Sequence, residues 1–198
     1  MTTAPQHTDG PAGRLITELE AWVPEAEDQA ALRDDSLRFL REEPAAAIDR
    51  DLGRAHVTGS AFVFTPDLRS VLLCFHRKAG WWLQLGGHVE PTDESVQGAA
   101  HREAQEEGGL LQLTPVGGGL LDLDRHDLGP GFARCDTHWD VGYGFLACGD
   151  PIASDESEAV AWWPLDALPT EVPDTFETRI RRAAQAAQRS LSGPAPQT

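Results

Sequence analysis

The chain has 198 residues, 40% hydrophobic and 24% charged, which suits one folded domain with a sizeable core. Lys+Arg number 16 against 32 Asp+Glu, so the formal net charge is −16, and the phosphates of nucleic-acid polymers or anionic membranes would be repelled. A small phosphorylated ligand is not excluded, because a bound cation inverts the local field. The cysteines Cys74, Cys135 and Cys148 are odd in number and form no Cys-x-x-Cys pair, so they read as reduced core or strand residues. No stretch approaches the ~20 apolar residues of a membrane span, and the polar opening residues show no leader pattern. A cytoplasmic setting is expected.

Taken in order, residues 1–11 read as a loose tail. Residues 12–52 form a helical element, carried by Leu15, Leu19 and Trp22 and then Leu32, Leu37, Phe39 and Leu40, with Pro24 and Pro44 as breaks. It shows no chemistry and is expected to pack on a main domain spanning 53–191. That domain opens with a hairpin. Val57–Phe64 is β-branched and aromatic, Pro66-Asp67 makes the turn, and Ser70–Arg77 returns. Arg77 ends the return strand just before Trp81-Trp82, where it could meet a phosphate or remain a solvated strand end. Trp82–Leu85 is strand-like, and Gly86-Gly87 suggests a tight turn. Pro91, Thr92 and Asp93 are helix openers, Glu94 adds an acid where the dipole favours one, and Gly108-Gly109 closes the helix. Gln112–Asp124 reads as a strand with three glycines inside it, 126–133 as a loop, and Arg134–Cys148 as a second long strand. An amphipathic helix is expected over Pro173–Leu191, with a flexible tail at 192–198.

The helix before Gly108 has an unusual charge layout. Glu103, Glu106 and Glu107 share one face of its last turn, on the side of Val96, Ala99 and Ala100. A solvated acidic face would point away from those small apolar residues. The helix C-terminus disfavours each negative charge by roughly 0.3–1 kcal/mol. Two carboxylates ~4 Å apart repel by about 4 kcal/mol at an effective dielectric near 20. Arg102 offsets one charge only. A divalent cation with oxygen ligands, Mg²⁺ or Mn²⁺, would offset the rest.

The run Arg102-Glu103-Ala104-Gln105-Glu106-Glu107-Gly108-Gly109-Leu110, preceded by Glu94 and Gly87, resembles the Nudix box. Its back half matches at every fixed position. Its front half carries one extra residue between Gly87 and Glu94. The resemblance implies an α/β/α sandwich with a mixed β-sheet, an N-terminal helical element and a C-terminal helix. It implies Mg²⁺-dependent hydrolysis of a diphosphate bond in a nucleoside diphosphate linked to another moiety, with Mn²⁺ able to substitute. By the same resemblance, Glu103 and Glu107 are the principal metal ligands, joined by Glu106 and the main-chain carbonyl near Gly87. Glu94 and Arg102 act behind them, Arg102 orienting a glutamate. The base is a box glutamate or Glu156, which precedes a strand ending in Trp163 and a short helix over 165–168; Asp155 and Glu158 are rivals for its place. Strands that line the cleft in this fold make His126, Arg134, His138 and Trp139 candidate substrate contacts. Trp82, Trp139 and Tyr143 could stack a base or fill the core. The expected partner is a small nucleotide-type substrate, and a homodimer is compatible with the family. A Nudix-fold nucleotide-binding module without turnover, and an isomerase of the isopentenyl diphosphate type, remain alternatives.

Overall fold

Gly10 and Pro11 start the first helix, with Pro11 where its missing N–H leaves no bond unmade. The structure is a computed structural model and describes residues 10–128, 135–153 and 157–193. Helix α1 (Pro11–Ala21) buries Leu15 and Leu19, one turn apart on one face. Helix α2 (Glu27–Glu42) carries Glu27 and Asp28 in its first turn and Arg41 in its last, as the dipole favours. It buries Leu37 and Leu40, and the short α3 (Pro44–Ile48) buries Ala47. These three helices pack on one another. The helical element therefore begins at Pro11, within the stretch expected to be a loose tail.

The remaining elements are β1 (Ala55–Phe64), β2 (Ser70–His76), β3 (Trp81–Leu83), β4 (Leu85–His88), α4 (Val96–Gly108), β5 (Thr114–Asp127), β6 (Thr137–Leu146), β7 (Ser157–Pro164) and α5 (Phe176–Ser192). The fold is mixed α/β, with helices at both ends of the chain and a mixed seven-stranded sheet. The strand order is β3-β2-β1-β6-β5, with β4 also paired to β1 and β7 to β2. The expected hairpin is β1–β2, antiparallel, with Val63 opposite Leu72. Asp67 shapes its turn by accepting from the Arg69 N–H at 3.1 Å and from Thr65 Oγ1 at 2.7 Å.

Four local expectations change. Helix α4 starts at Val96 rather than at Pro91, because Asp93 closes a turn by accepting from the Glu90 N–H at 2.8 Å. Ser95 is the cap instead, its Oγ accepting from the Gly98 N–H at 3.0 Å. Gly86 and Gly87 lie within strand β4 rather than in a turn. Strand β5 runs on through His126 to Asp127, where a loop was expected. Residues after Pro164 form a turn, closed by the Ala167 N–H on the Pro164 carbonyl, in place of a short helix. Gly109 does end α4, at φ +64, and a Cβ there would meet Ile152 Cβ at 2.8 Å.

The chain divides into two compact units. The first holds residues up to 59, 87–99 and 123–141. Its interior contains Leu15, Leu19, Leu40, Val57, Val96, Ala99 and Val141. Thr58 and Asp140 are buried there as a pair, with Thr58 Oγ1 donating to Asp140 Oδ1 at 2.9 Å. Gln29 on α2 donates from Nε2 to the Leu123 carbonyl and accepts at Oε1 from the Leu123 N–H, each at 2.8 Å.

The second unit holds residues 60–86, 100–122 and from 142 onward. Phe62, Phe64, Val71, Leu73, Val116 and Leu121 from its strands pack with Phe176, Ile180, Ala183 and Ala187 of α5. Those four helical residues recur at the spacing of one face, as the amphipathic pattern implies. Asp122, wholly buried, takes the guanidinium of Arg179 at 2.7 Å and that of Arg182 at 2.6 Å. Burial pushes its carboxyl up, and the two arginines pull it back.

Candidate functional site

The last turn of α4 places its glutamates unequally. Relative to Glu103, Glu107 lies about 40° round the helix, toward Ala100 at about 60°, whereas Glu106 lies about 60° the other way. The burial follows this geometry. Glu107 is buried at 7% exposure, the Glu103 side chain is 17% exposed, and that of Glu106 is 60% exposed. The inward phase inferred from the sequence thus holds for Glu103 and Glu107, while Glu106 sits on the rim.

Each carboxylate has a defined partner within the second unit. The Gly86 N–H donates to Glu107 Oε2 at 2.9 Å, which ties the helix end to the start of β4. Arg102 Nη1 donates to Glu103 Oε1 at 3.0 Å and to Glu106 Oε2 at 3.1 Å. A single guanidinium therefore spans the two. Gly108 gives the helix end room against the sheet: a Cβ there would stand 3.2 Å from methyls of both Leu72 and Leu85. The carboxylates of Glu103, Glu106 and Glu107 are oxygen donors, the kind that Mg²⁺ or Mn²⁺ prefers.

The other residues singled out from the sequence are divided between the two units. Gly87 lies in β4 and Glu94 is exposed ahead of α4. Arg77 is exposed after β2, with its Nε 3.8 Å from Glu158 Oε1. His126 stands on β5, its Nδ1 2.9 Å from Asp124 Oδ2. Trp139 is stacked on Phe39, centroids 4.9 Å apart, with the Arg125 guanidinium 5.3 Å from its ring centre. Trp82 meets Phe75 and Trp163 edge-on, and Tyr143 is fully buried. Arg134, Glu156 and Asp155 lie outside the described residues.

His138 belongs to a group that sequence reasoning did not assemble. In the first unit, His56, His88, Cys135 and His138 bring one potential ligand atom each to within 4.8 Å of one another. The His56 ring is tilted against its two neighbours, 4.9 Å from His88 and 5.0 Å from His138, and the His88 and His138 rings meet edge to face at 5.3 Å. The His126 ring lies 5.4 Å from that of His138. Burial lowers the pKa of His138 to about 3, with help from His56, His88, His126 and Arg50. Burial likewise lowers His88 to about 4, with Arg50 and then His56 adding to the effect. His56 is lowered by burial too, and the nearby Gly53 backbone offsets part of this without reaching hydrogen-bond geometry. The one local signal was the Cys135-x-x-His138 spacing; His56 and His88 are far away in sequence.

These elements define a mixed α/β protein with a helix that ends in partly buried glutamates tied to the Gly86 N–H. The model of the NUDIX domain matches residues 54–186, so the chain belongs to the NUDIX family. A NUDIX-family hydrolase from Clostridium perfringens is 26% identical, covering 69% of this chain and 98% of its own, with a TM-score of 0.55. A MutT NUDIX hydrolase from Burkholderia pseudomallei is also 26% identical, covering 65% and 97%, at a TM-score of 0.51. The dihydroneopterin triphosphate pyrophosphohydrolase of E. coli shares the fold at 17% identity, covering 69% and 96%, with a TM-score of 0.54. No curated protein sequence matches the chain. Among the described residues, no helix is long and apolar enough to cross a membrane.

Proposed function

We propose that this chain hydrolyses the diphosphate bond of a nucleoside diphosphate linked to another moiety, using Mg²⁺ for which Mn²⁺ can substitute. The observation that carries this reading is Glu107, buried at the end of α4 with the Gly86 N–H on one oxygen and Glu103 on the same face. A buried carboxylate at a helix C-terminus is costly unless it serves a cation. Family membership and relatives that include a pyrophosphohydrolase agree with it. Glu103 and Glu107 would hold the ion, with Glu106 and the carbonyl near Gly87 assisting. When bound, the ion neutralises charge on the phosphate oxygens and favours an attacking water.

The chain's own groups do the rest. The Gly86 N–H fixes the orientation of Glu107. Arg102 holds Glu103 and Glu106 in register, and its charge reduces their mutual repulsion. The water's proton goes to a box glutamate or to Glu156. Arg77, His126 and Arg134 are retained as substrate contacts. A cytoplasmic setting is part of this reading.

The test is a panel of nucleotide derivatives with Mg²⁺ and Mn²⁺, followed by phosphate or nucleotide release. Glu107→Gln should keep the fold and lower turnover by at least about 100-fold, the scale of a lost catalytic group. Wild-type-like turnover in that variant at saturating Mg²⁺ would overturn the assignment. Binding without turnover across the panel would favour a regulatory module.

A further inference from the structure

The His56, His88, Cys135 and His138 cluster lies in the first unit and includes none of the α4 glutamates. It is expensive as plain packing. His56 Nδ1 and Nε2 and His138 Nε2 are buried without a hydrogen-bond partner. Each such atom, left unsatisfied, is destabilising. Three imidazoles gathered around a thiol would also repel one another if protonated. Neutral imidazole is the form that binds a metal.

We propose that these four residues form a closed, tetrahedral zinc site of structural type, separate from the glutamates of α4. Three nitrogens and a thiolate match zinc's preference for mixed N and S ligands, and four protein ligands leave no open position for chemistry. Ligand atoms around tetrahedral zinc stand roughly 3.3–3.6 Å apart given Zn–N and Zn–S bond lengths. Side-chain movements of about 1 Å would bring the present spacing, within 4.8 Å, to that value. The ligands come from the start of β1, the end of β4, the residue two before β6, and β6 itself. Zinc would staple these strand ends within the first unit. Binding releases the Cys135 proton. Arg50 Nη1 lies 3.2 Å from His88 Nδ1 and can only donate, so in the metal-free state the His88 proton sits on Nε2. Ligation through Nε2 moves that proton to Nδ1 and displaces Arg50.

The experiment uses the full chain, expressed in zinc-supplemented medium and dialysed, with metal content measured by mass spectrometry. About one zinc per chain is expected. The protein is then stripped and titrated with Co²⁺. A tetrahedral visible band with thiolate-to-cobalt charge transfer is expected. Cys135→Ser should abolish the charge transfer and weaken Co²⁺ binding by at least about 100-fold, beyond the loss typical of an outer-shell partner. His138→Gln provides a second variant should Cys135→Ser fail to fold, and should weaken binding similarly. Glu103→Gln and Glu107→Gln should leave the cobalt spectrum unchanged, which separates this site from the diphosphate reading. Negligible zinc, a weak octahedral cobalt spectrum, or charge transfer that survives Cys135→Ser would each overturn the proposal.

Discussion

Asp122→Asn gives the sharpest test of how the second unit is held together. The side chain is wholly buried, and its two oxygens are shared between Arg179, 8% exposed at the side chain, and Arg182, 24% exposed. Asparagine keeps the shape and removes the charge that both guanidiniums answer. Breaking a buried ion pair from one side costs about 3–5 kcal/mol, because the remaining charge stays out of water. Arg182 can relax toward solvent and Arg179 cannot, so a value near the lower end, about 3 kcal/mol, is expected. At ~2–4 °C per kcal/mol for a chain of this size, the melting point should fall by roughly 6–12 °C. Urea unfolding followed by the fluorescence of the six tryptophans would measure it. Pairing Asp122→Leu with Arg179→Met should recover much of the loss, since it removes both charges. Asp136→Asn is the control: Asp136 and Arg54 are in close contact but exposed, so little change is expected. A loss below about 1 kcal/mol for Asp122→Asn would refute the reasoning, because it would mean that water reaches Arg179.

Other outcomes follow from single contacts. Gln29→Leu leaves the buried N–H and C=O of Leu123 unanswered and should cost about 2–4 kcal/mol by urea unfolding, and Gln29→Glu, which sets a carboxylate oxygen against the Leu123 carbonyl, should also destabilise. Gly142→Ala puts a Cβ 2.6 Å from Phe62 Cε2 and should destabilise by about 1–3 kcal/mol; a neutral result would show that the ring can shift freely. In EDTA, stability should fall as pH drops from about 6.5 toward 4. The unfolded histidines take up protons near 6.5, while His88 and His138 in the fold resist until about 4 and about 3. The loss between pH 7.5 and 5.5 should be about 1 kcal/mol for each, and a flat profile would show that these rings are hydrated. Glu106→Gln, on the rim, should perturb stability less than Glu107→Gln, which disturbs the tie to Gly86.

What could be read from the sequence was local and periodic. Strands β1 and β2, helix α5 and the end of α4 each declare themselves within a few residues: Phe176 and Ile180 on one face, Asp67 in a turn, Gly109 at a helix stop. The boundaries failed where a polar side chain had two possible tasks. Asp93 is as good a helix cap as Ser95, and only the turn from Glu90 decides between them. Gly86-Gly87 permits a bend, but pairing with β1 holds it extended. Glu106 was grouped with Glu103 and Glu107 because helical neighbours three and four apart share a face, though only the fold shows where that face turns to solvent. The histidine cluster is a different failure. Its members are brought together by strand pairing, and no short window of sequence holds more than two of them.

The amide of Gln29 has a bearing on self-association. Strand β5 ends the pairing order of the sheet, and a bare strand at such a position offers its backbone to any other chain. At Leu123 both offers are already taken up by one side chain reaching over from α2. A second copy extending the sheet along β5 would have to evict it. Loss of Gln29 therefore opens a place where one molecule can be stitched to the next, and its variants should be watched for aggregation as well as for stability.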